Sequence, residues 1–195
     1  MRVCDFTYAL EYVEFATPAV FHATDYALGP LDRVQNRMLE EIGITAENAL
    51  FEFSLSPLRA RRDMAMLGLI HRVKLNEAPT IFSEFIFPAS SANFPRSFRA
   101  VDLRHNSQMQ DPVNSMSSRL FHRSIFGLIY TYNLLPQAVI NCESVSSFQN
   151  NLQRALKEAV KHNCTNWDSL YSHGIKRMSV SSFQALFVKS SSPNV

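Results

Sequence analysis

The sequence predicts a mainly α protein, an irregular helical bundle with a central Pro/Ser/Asn-rich linker and a frayed C-terminal tail. Three observations point there. Apolar residues recur at helical spacing in several stretches, prolines cluster with serine and asparagine between 88 and 118, and serine dominates from 179 onward. With 195 residues and 46% hydrophobic positions, the chain is long enough to enclose a core, so its periodic stretches are expected to pack.

The elements follow in order. Leu31, Val34, Met38 and Ile42 lie on one side of a helix with Arg33, Asn36, Arg37 and Glu40 opposite, and Gly43 stands as its stop, which reads as a short surface helix. Ser56 before Pro57 reads as an N-cap followed by a first-turn proline. No further proline occurs to Leu75, so a helix of about 19 residues and ~28 Å is expected. Val145, Phe148, Leu152, Leu156 and Ala159 share a third helix face, with Ser146 and Gln149 at capping-box spacing and Lys157 and Lys161 near the end, where cations suit the helix dipole. The run Leu120–Leu135 is apolar on every side, and Ile125, Ile129, Tyr130 and Tyr132 suit a strand as well as a buried helix; we read it as helix. The expected organisation is a thumb-like helical region at 1–87, a linker at 88–118, a second helical region at 119–172 and a flexible tail at 173–195.

Composition excludes several classes. Lys plus Arg number 19 against 17 for Asp plus Glu, a net charge of +2 that singles out no partner. The charge is uneven, however. Residues 1–32 are acidic, whereas 59–74 hold Arg59, Arg61, Arg62, Arg72 and Lys74 against Asp63 alone. Three cysteines without a C-x-x-C support neither a disulfide framework nor a zinc ribbon, and suit a reducing compartment. The run Ile125–Cys142 contains Asn133, Pro136, Gln137 and Asn141, each costly in hydrocarbon, so no membrane span is expected. Arg2 as the sole basic flank, followed by Asp5, does not make a signal peptide. A nuclear or cytoplasmic protein is expected rather than a secreted one, and the Asn163-Cys164-Thr165 sequon is expected to be idle.

Catalytic patterns are missing from the sequence. Two-metal phosphoryl transfer uses converging carboxylates, yet no Asp-Asp occurs, and Glu40-Glu41 reads as solvated charge at a helix end. Walker, G-x-G-x-x-G, G-x-S-x-G and H-E-x-x-H motifs do not occur. Cys142, Cys164 and His173 fall at no finger spacing. We therefore expect no catalytic residue, no metal and no cofactor. The suggestive feature is the basic helix. At about 100° per residue, Arg61, Ala65, Gly68 and Arg72 form one stripe, with the two guanidinium groups ~16 Å apart along the axis. That stripe can follow a phosphate backbone, with Arg59 and Lys74 in support, because guanidinium groups bind phosphate bidentately. It can equally be a helix-packing notch at Ala65 and Gly68 beside solvated arginines. Arg62 falls with Leu58, Leu69 and Val73 on the apolar face, where an internal carboxylate is its expected partner.

Several blocks together resemble a known family. Thr17-Pro18-Ala19 to His22-Ala23, Leu31-Asp32-Arg33-Val34-Gln35 to Leu39, Ala49-Leu50, Ser56-Pro57-Leu58 and Arg61-Arg62-Asp63-Met64-Ala65-Met66-Leu67-Gly68-Leu69-Ile70-His71-Arg72 resemble the region after the catalytic palm in reverse transcriptases of non-LTR retrotransposons. So does Arg104-His105-Asn106 with Asp111-Pro112, while Arg123-Ser124 with Tyr132-Asn133-Leu134-Leu135-Pro136, and Ser144-Val145 to Phe148 and Leu152, resemble the arginine, N-x-L-P and S-V-x-x-F blocks near the C-terminal end of many such polyproteins. The resemblance covers residues 13 to 168. It implies that fingers and palm, with the metal-binding aspartates, belong to a preceding region, and that this chain is a non-catalytic fragment of a truncated element. Its implied ancestral work is gripping template and primer, an RNA or RNA–DNA duplex, through phosphate contacts. The alternative is a helical interaction module that docks on the missing palm or another protein through the Ala65–Gly68 notch and the Phe148–Ala159 face.

Overall fold

A computed structural model describes Thr17 and residues 21–89, 105–111, 123–174 and 178–188. The described residues are mainly helical: α1 Asp25–Glu41, α2 Ala46–Phe53, α3 Leu58–Lys74, α4 Thr80–Phe85, α5 Ile125–Asn133, α6 Gln137–Ile140, α7 Val145–Lys161 and α8 Val180–Val188, with a 3-10 turn and a π turn between α7 and α8. Among these residues no strand forms. The one extended pairing is an antiparallel bridge between Pro88 and Met109.

Helix α3 is the axis of the fold. Eleven of its 17 residues are buried, which makes it a core helix rather than a surface one. It packs against α7 on one flank and α5 on another, with α1 and the two turns after α7 covering further parts. The expected cap moves by one residue: Pro57, not Ser56, occupies the N-cap position. Ser56 is free to donate its hydroxyl to Gln153 of α7 at 2.7 Å, while Gln35 of α1 donates to the Ser56 carbonyl at 3.1 Å. The α2–α3 connection is thereby fastened to both neighbours.

Helix ends follow local chemistry. α1 starts earlier than expected, at Asp25, because the Thr24 hydroxyl accepts from the Ala27 amide, and Pro30 inside the helix removes one main-chain donor without ending it. Gly43, with φ of 71°, closes α1 in a Schellman motif: its amide reaches the Glu40 carbonyl and the Ile44 amide reaches Leu39. Asn76 and Asn163, with φ of 59° and 50°, close α3 and α7 the same way. α7 is capped by Ser144 rather than Ser146, its hydroxyl accepting from the Ser147 amide at 3.2 Å. The apolar face read from the sequence is the buried one, with Phe148, Leu152, Leu156 and Ala159 all fully enclosed. The ambiguous run resolves as helix α5, whose Ile129 and Tyr132 are fully buried.

Two expectations change. The helical regions on either side of the 88–118 segment share one core rather than forming separate units. Of that segment 88–89 and 105–111 are described, the rest lying outside the described residues, and 105–111 is docked on the core. Asn133 grips the Met109 backbone from both sides, accepting from its amide and donating to its carbonyl at 2.8 Å each. His105 donates to the Tyr132 carbonyl at 3.1 Å, and Gln137 pairs with Asn106. Polar side chains, not apolar periodicity, hold this strap, which is why a hydrophobic pattern missed it. The expected flexible tail is likewise corrected over part of its length; residues 175–177 and 189–195 lie outside the described residues. Residues Val180–Val188 form α8, with Phe183, Leu186 and Phe187 buried against α7. Their i, i+3, i+4 spacing gives a helical apolar face despite the serines, and Ser179 caps the helix by accepting from Ser182.

Gly68 marks where α7 crosses α3. A Cβ there would stand 2.6 Å from the Gln149 amide nitrogen and 3.2 Å from Val145 Cγ1. Gln149 uses the gap to donate to the Met64 carbonyl. Gly68→Leu is expected to destabilise the protein by about 1–3 kcal/mol through overpacking, read as a lower urea midpoint at unchanged m-value. An unchanged midpoint would mean that α7 does not press on α3 at this point.

Candidate nucleic-acid interface

The four cations singled out from the sequence do not form one open stripe. Arg59, about a third exposed, pairs with Asp25 at 3.2 Å. Arg61 donates to the buried Gln35 side chain at 3.2 Å. Burial, reinforced by the neighbouring Arg62 charge, lowers its pKa to about 10, so it stays cationic at neutral pH. Gly68 lies under α7, which interrupts the stripe there, while Ala65 is exposed. Arg72 is exposed on the last turn of α3 and Lys74 is half-buried. The docking surface weighed as the alternative is also occupied from within: Val145 and Gln149 cover the Gly68 notch, and the Phe148–Ala159 face is core.

Arg62 behaves as its face position predicts. Only 4% exposed, it donates from Nη2 to both carboxylate oxygens of Asp32, at 2.7 and 3.0 Å. Beside it, Asp63 lies on the stripe Ala60, Asp63, Leu67, Ile70, all buried. An acid on an apolar stripe was the available signal for this site, and sequence reading passed over it. Desolvation raises the Asp63 pKa to about 7, against the opposing effect of a hydrogen bond from Ser172 and the nearby Arg59 and Arg62 charges. These groups line a cavity of about 130 Å3, together with Arg123, Ser124 and Ser172 at the start of α5 and the π turn. Inside this region Arg62 Nη1, Asp63 Oδ2 and Arg123 Nε are buried without a hydrogen-bond partner. A second groove of about 300 Å3 mixes Asp32 and Asp168 with Arg59 and Trp167, so it offers no single-sign field for a polyanion.

The buried histidines are locks, not ligands. His71 Nε2 donates to the Cys142 carbonyl at 3.0 Å, so Nδ1 accepts from the Tyr132 hydroxyl at 3.1 Å, and the ring stacks on Phe148 with centroids 4.2 Å apart. Burial lowers the His71 pKa and takes that of His105 to about 4. Among the described residues no cluster of three or more His, Cys, Asp or Glu is placed to hold a metal, and no helix is long and apolar enough to cross a membrane. Comparison with family models, curated proteins and solved structures gives no match.

The carboxyl and imidazole groups give opposite pH signatures. Asp63 has a raised folded-state pKa, so its contribution is complete below the unfolded value of 3.8 and is lost as pH rises through about 7. The stability of wild type relative to Asp63→Asn should therefore fall by up to about 1.4 kcal/mol per pH unit across that window and level off above it. His71 and His105 act the other way, their contribution present above 6.5 and lost as pH falls, for His105 through about 4. Urea titrations of both proteins at several pH values measure the difference, and a pH-independent difference would place Asp63 in water.

Proposed function

We propose that this chain is a non-catalytic helical module related to the post-palm region of a non-LTR retrotransposon reverse transcriptase, with a role in holding the phosphate backbone of an RNA or RNA–DNA duplex. The observation that carries the reading is how the blocks behind the resemblance meet in space. Asp32 of one block pairs with Arg62 of another. His105 of a third block donates to the Tyr132 carbonyl of the N-x-L-P block. Gly68 receives Val145 and Gln149, which follow Ser144. Blocks that come from one ancestral domain are expected to pack on each other in this way, since each preserves the other's partner.

The packing also divides the labour among the cations. Arg61 and Arg62 serve the fold, Arg59 is tied to Asp25 in a partly exposed pair of small worth, and Arg72 with Lys74 remains for the duplex. Neutralising two phosphates gives a salt slope near −2, or roughly tenfold weaker binding between 50 and 200 mM salt. Arg72→Ala is expected to weaken binding and flatten that slope while leaving the urea midpoint in place; Arg61→Ala is expected to lower the midpoint instead. No duplex binding at 50 mM salt would overturn the reading.

A second reading keeps the same origin and makes the contact a protein one. It is favoured by α4, which buries none of its residues and leaves Ile81 and Phe85 more than half exposed, with Phe87 following. Changing Ile81 and Phe85 to lysine should then abolish capture of a separately supplied palm domain without altering duplex affinity. Unchanged capture would remove this reading.

A further inference from the structure

The open groove between α1, the start of α3 and the 3-10 turn Trp167–Ser169 has no part in holding phosphates, and its lining suits a different portion of a nucleic acid. We infer that it is a nucleobase site, which stacks one unpaired base on Trp167 and reads its hydrogen-bonding edge with Asp168, guanine being the best match. The site rests on the duplex reading only for the source of its ligand. Its construction is local. Soon after α7 ends, Asn166 stands in the left-handed region at φ of 60°, a conformation that asparagine tolerates. The Asn166 carbonyl then accepts from the Ser169 amide at 3.1 Å and from the Ser169 hydroxyl at 3.2 Å. That closed turn fixes Trp167 and Asp168 next to each other. Trp167 packs on the core while lining the groove. Asp168 lines it too, is exposed, and makes no hydrogen bond or ion pair among the described residues.

Size, lining and charge select a base. The groove, at about 300 Å3, lies at the lower end of the roughly 300–1,000 Å3 of small-molecule sites, so it holds one ring system rather than a chain. Pro57, Leu58 and Trp167 offer apolar surface to the flat faces of an aromatic ring, and Asp32, Asn36 and Asp168 offer polar groups to its edge. Stacking tolerates every base, so the edge must make the choice. Asp25 balances Arg59 and Asp32 balances Arg62, which leaves the groove with the negative charge of Asp168. That charge repels phosphate and favours a ligand rich in donors. A carboxylate accepts from two adjacent N–H groups at once. Guanine carries two such donors side by side on its Watson–Crick edge, adenine and cytosine carry one amino group beside an acceptor, and uracil sets its one N–H between two carbonyls. Arg59 and Arg72 stand about 20 Å apart along α3. An unpaired end of a duplex held at Arg72 can therefore reach the groove.

The shared chemistry is a guanine ring, free as a nucleoside or unpaired in a strand. The test titrates the full chain with guanosine and reads the emission of Trp167, the sole tryptophan of the sequence, with N-acetyltryptophanamide as reference for light absorbed by the nucleoside. The expected result is saturable quenching, with affinity falling from guanosine through adenosine and cytidine to uridine. Asp168→Asn, at an exposed position, should weaken guanosine about tenfold or more, the loss of one charge-assisted hydrogen bond, at an unchanged urea midpoint. Ala46→Phe, which fills the groove and leaves every charge in place, should abolish the quenching while circular dichroism stays native. Displacement of guanosine by a duplex with an unpaired guanine overhang, and not by its blunt form, identifies a strand as the source; displacement by neither identifies the free nucleoside. Saturable binding of N-acetylargininamide in place of guanosine overturns the base and makes the groove a seat for a basic side chain of a protein. Quenching that matches the reference, or that is equal in wild type, Asp168→Asn and Ala46→Phe, overturns the site. Those failures leave duplex binding at low salt as it was, whereas loss of duplex binding with guanosine quenching retained overturns the duplex reading alone.

Discussion

The fold rests on the enclosure of α3. A helix buried around most of its circumference must lose its Cβ where a neighbour crosses, and must find partners for every charge that ends up inside. Gly68 meets the first demand and Asp32 the second, by accepting twice from Arg62. Removing Asp32 would leave the enclosed Arg62 charge uncompensated, whereas Asp32 itself keeps contact with water. The basic character of this helix is therefore mostly an architectural fact. Its arginines Arg59, Arg61 and Arg62 tie α3 to α1, and its most exposed cation, Arg72, stands on the C-terminal turn.

A second set of polar contacts organises the other side. Asn133, His105 and Gln137 fasten the 105–111 strap to α5 and α6 through main-chain and side-chain hydrogen bonds. His71 joins α3 to the α6–α7 connection by way of Tyr132 and Cys142. Such networks lie in a low-dielectric interior, where each satisfied bond fixes geometry and each broken one is expensive. They fix the orientation of the short helices α5 and α6, whose apolar residues are buried beside them.

Helix content and the apolar face of α7 were legible in the sequence because both depend on local periodicity. The Arg62 partnership was legible for the same reason, since its angular position put it among Leu58, Leu69 and Val73. What escaped depends on contacts distant along the chain. The strap is bound by asparagine, glutamine and histidine, residues that composition reads as loop. α8 was hidden by serines, although Phe183, Leu186 and Phe187 carried the helical spacing. The cavity was hidden because Asp63, Arg123 and Ser172 come from three separate segments, and only Asp63, alone on an apolar stripe, gave a local sign. The phosphate stripe misled through a true observation: Arg61, Ala65, Gly68 and Arg72 do share a face, but a glycine on that face admits a helix as readily as a ligand.

Native-state amide hydrogen exchange of α3 at increasing urea tests this account most directly. If α3 is the enclosed axis, the amides of Met66 to His71 exchange only by global unfolding, with the same free energy and urea dependence as those at the centre of α7. Exchange of those amides through local opening, at a free energy well below that of α7, would show that α3 is a surface helix and would return its arginines to solvent.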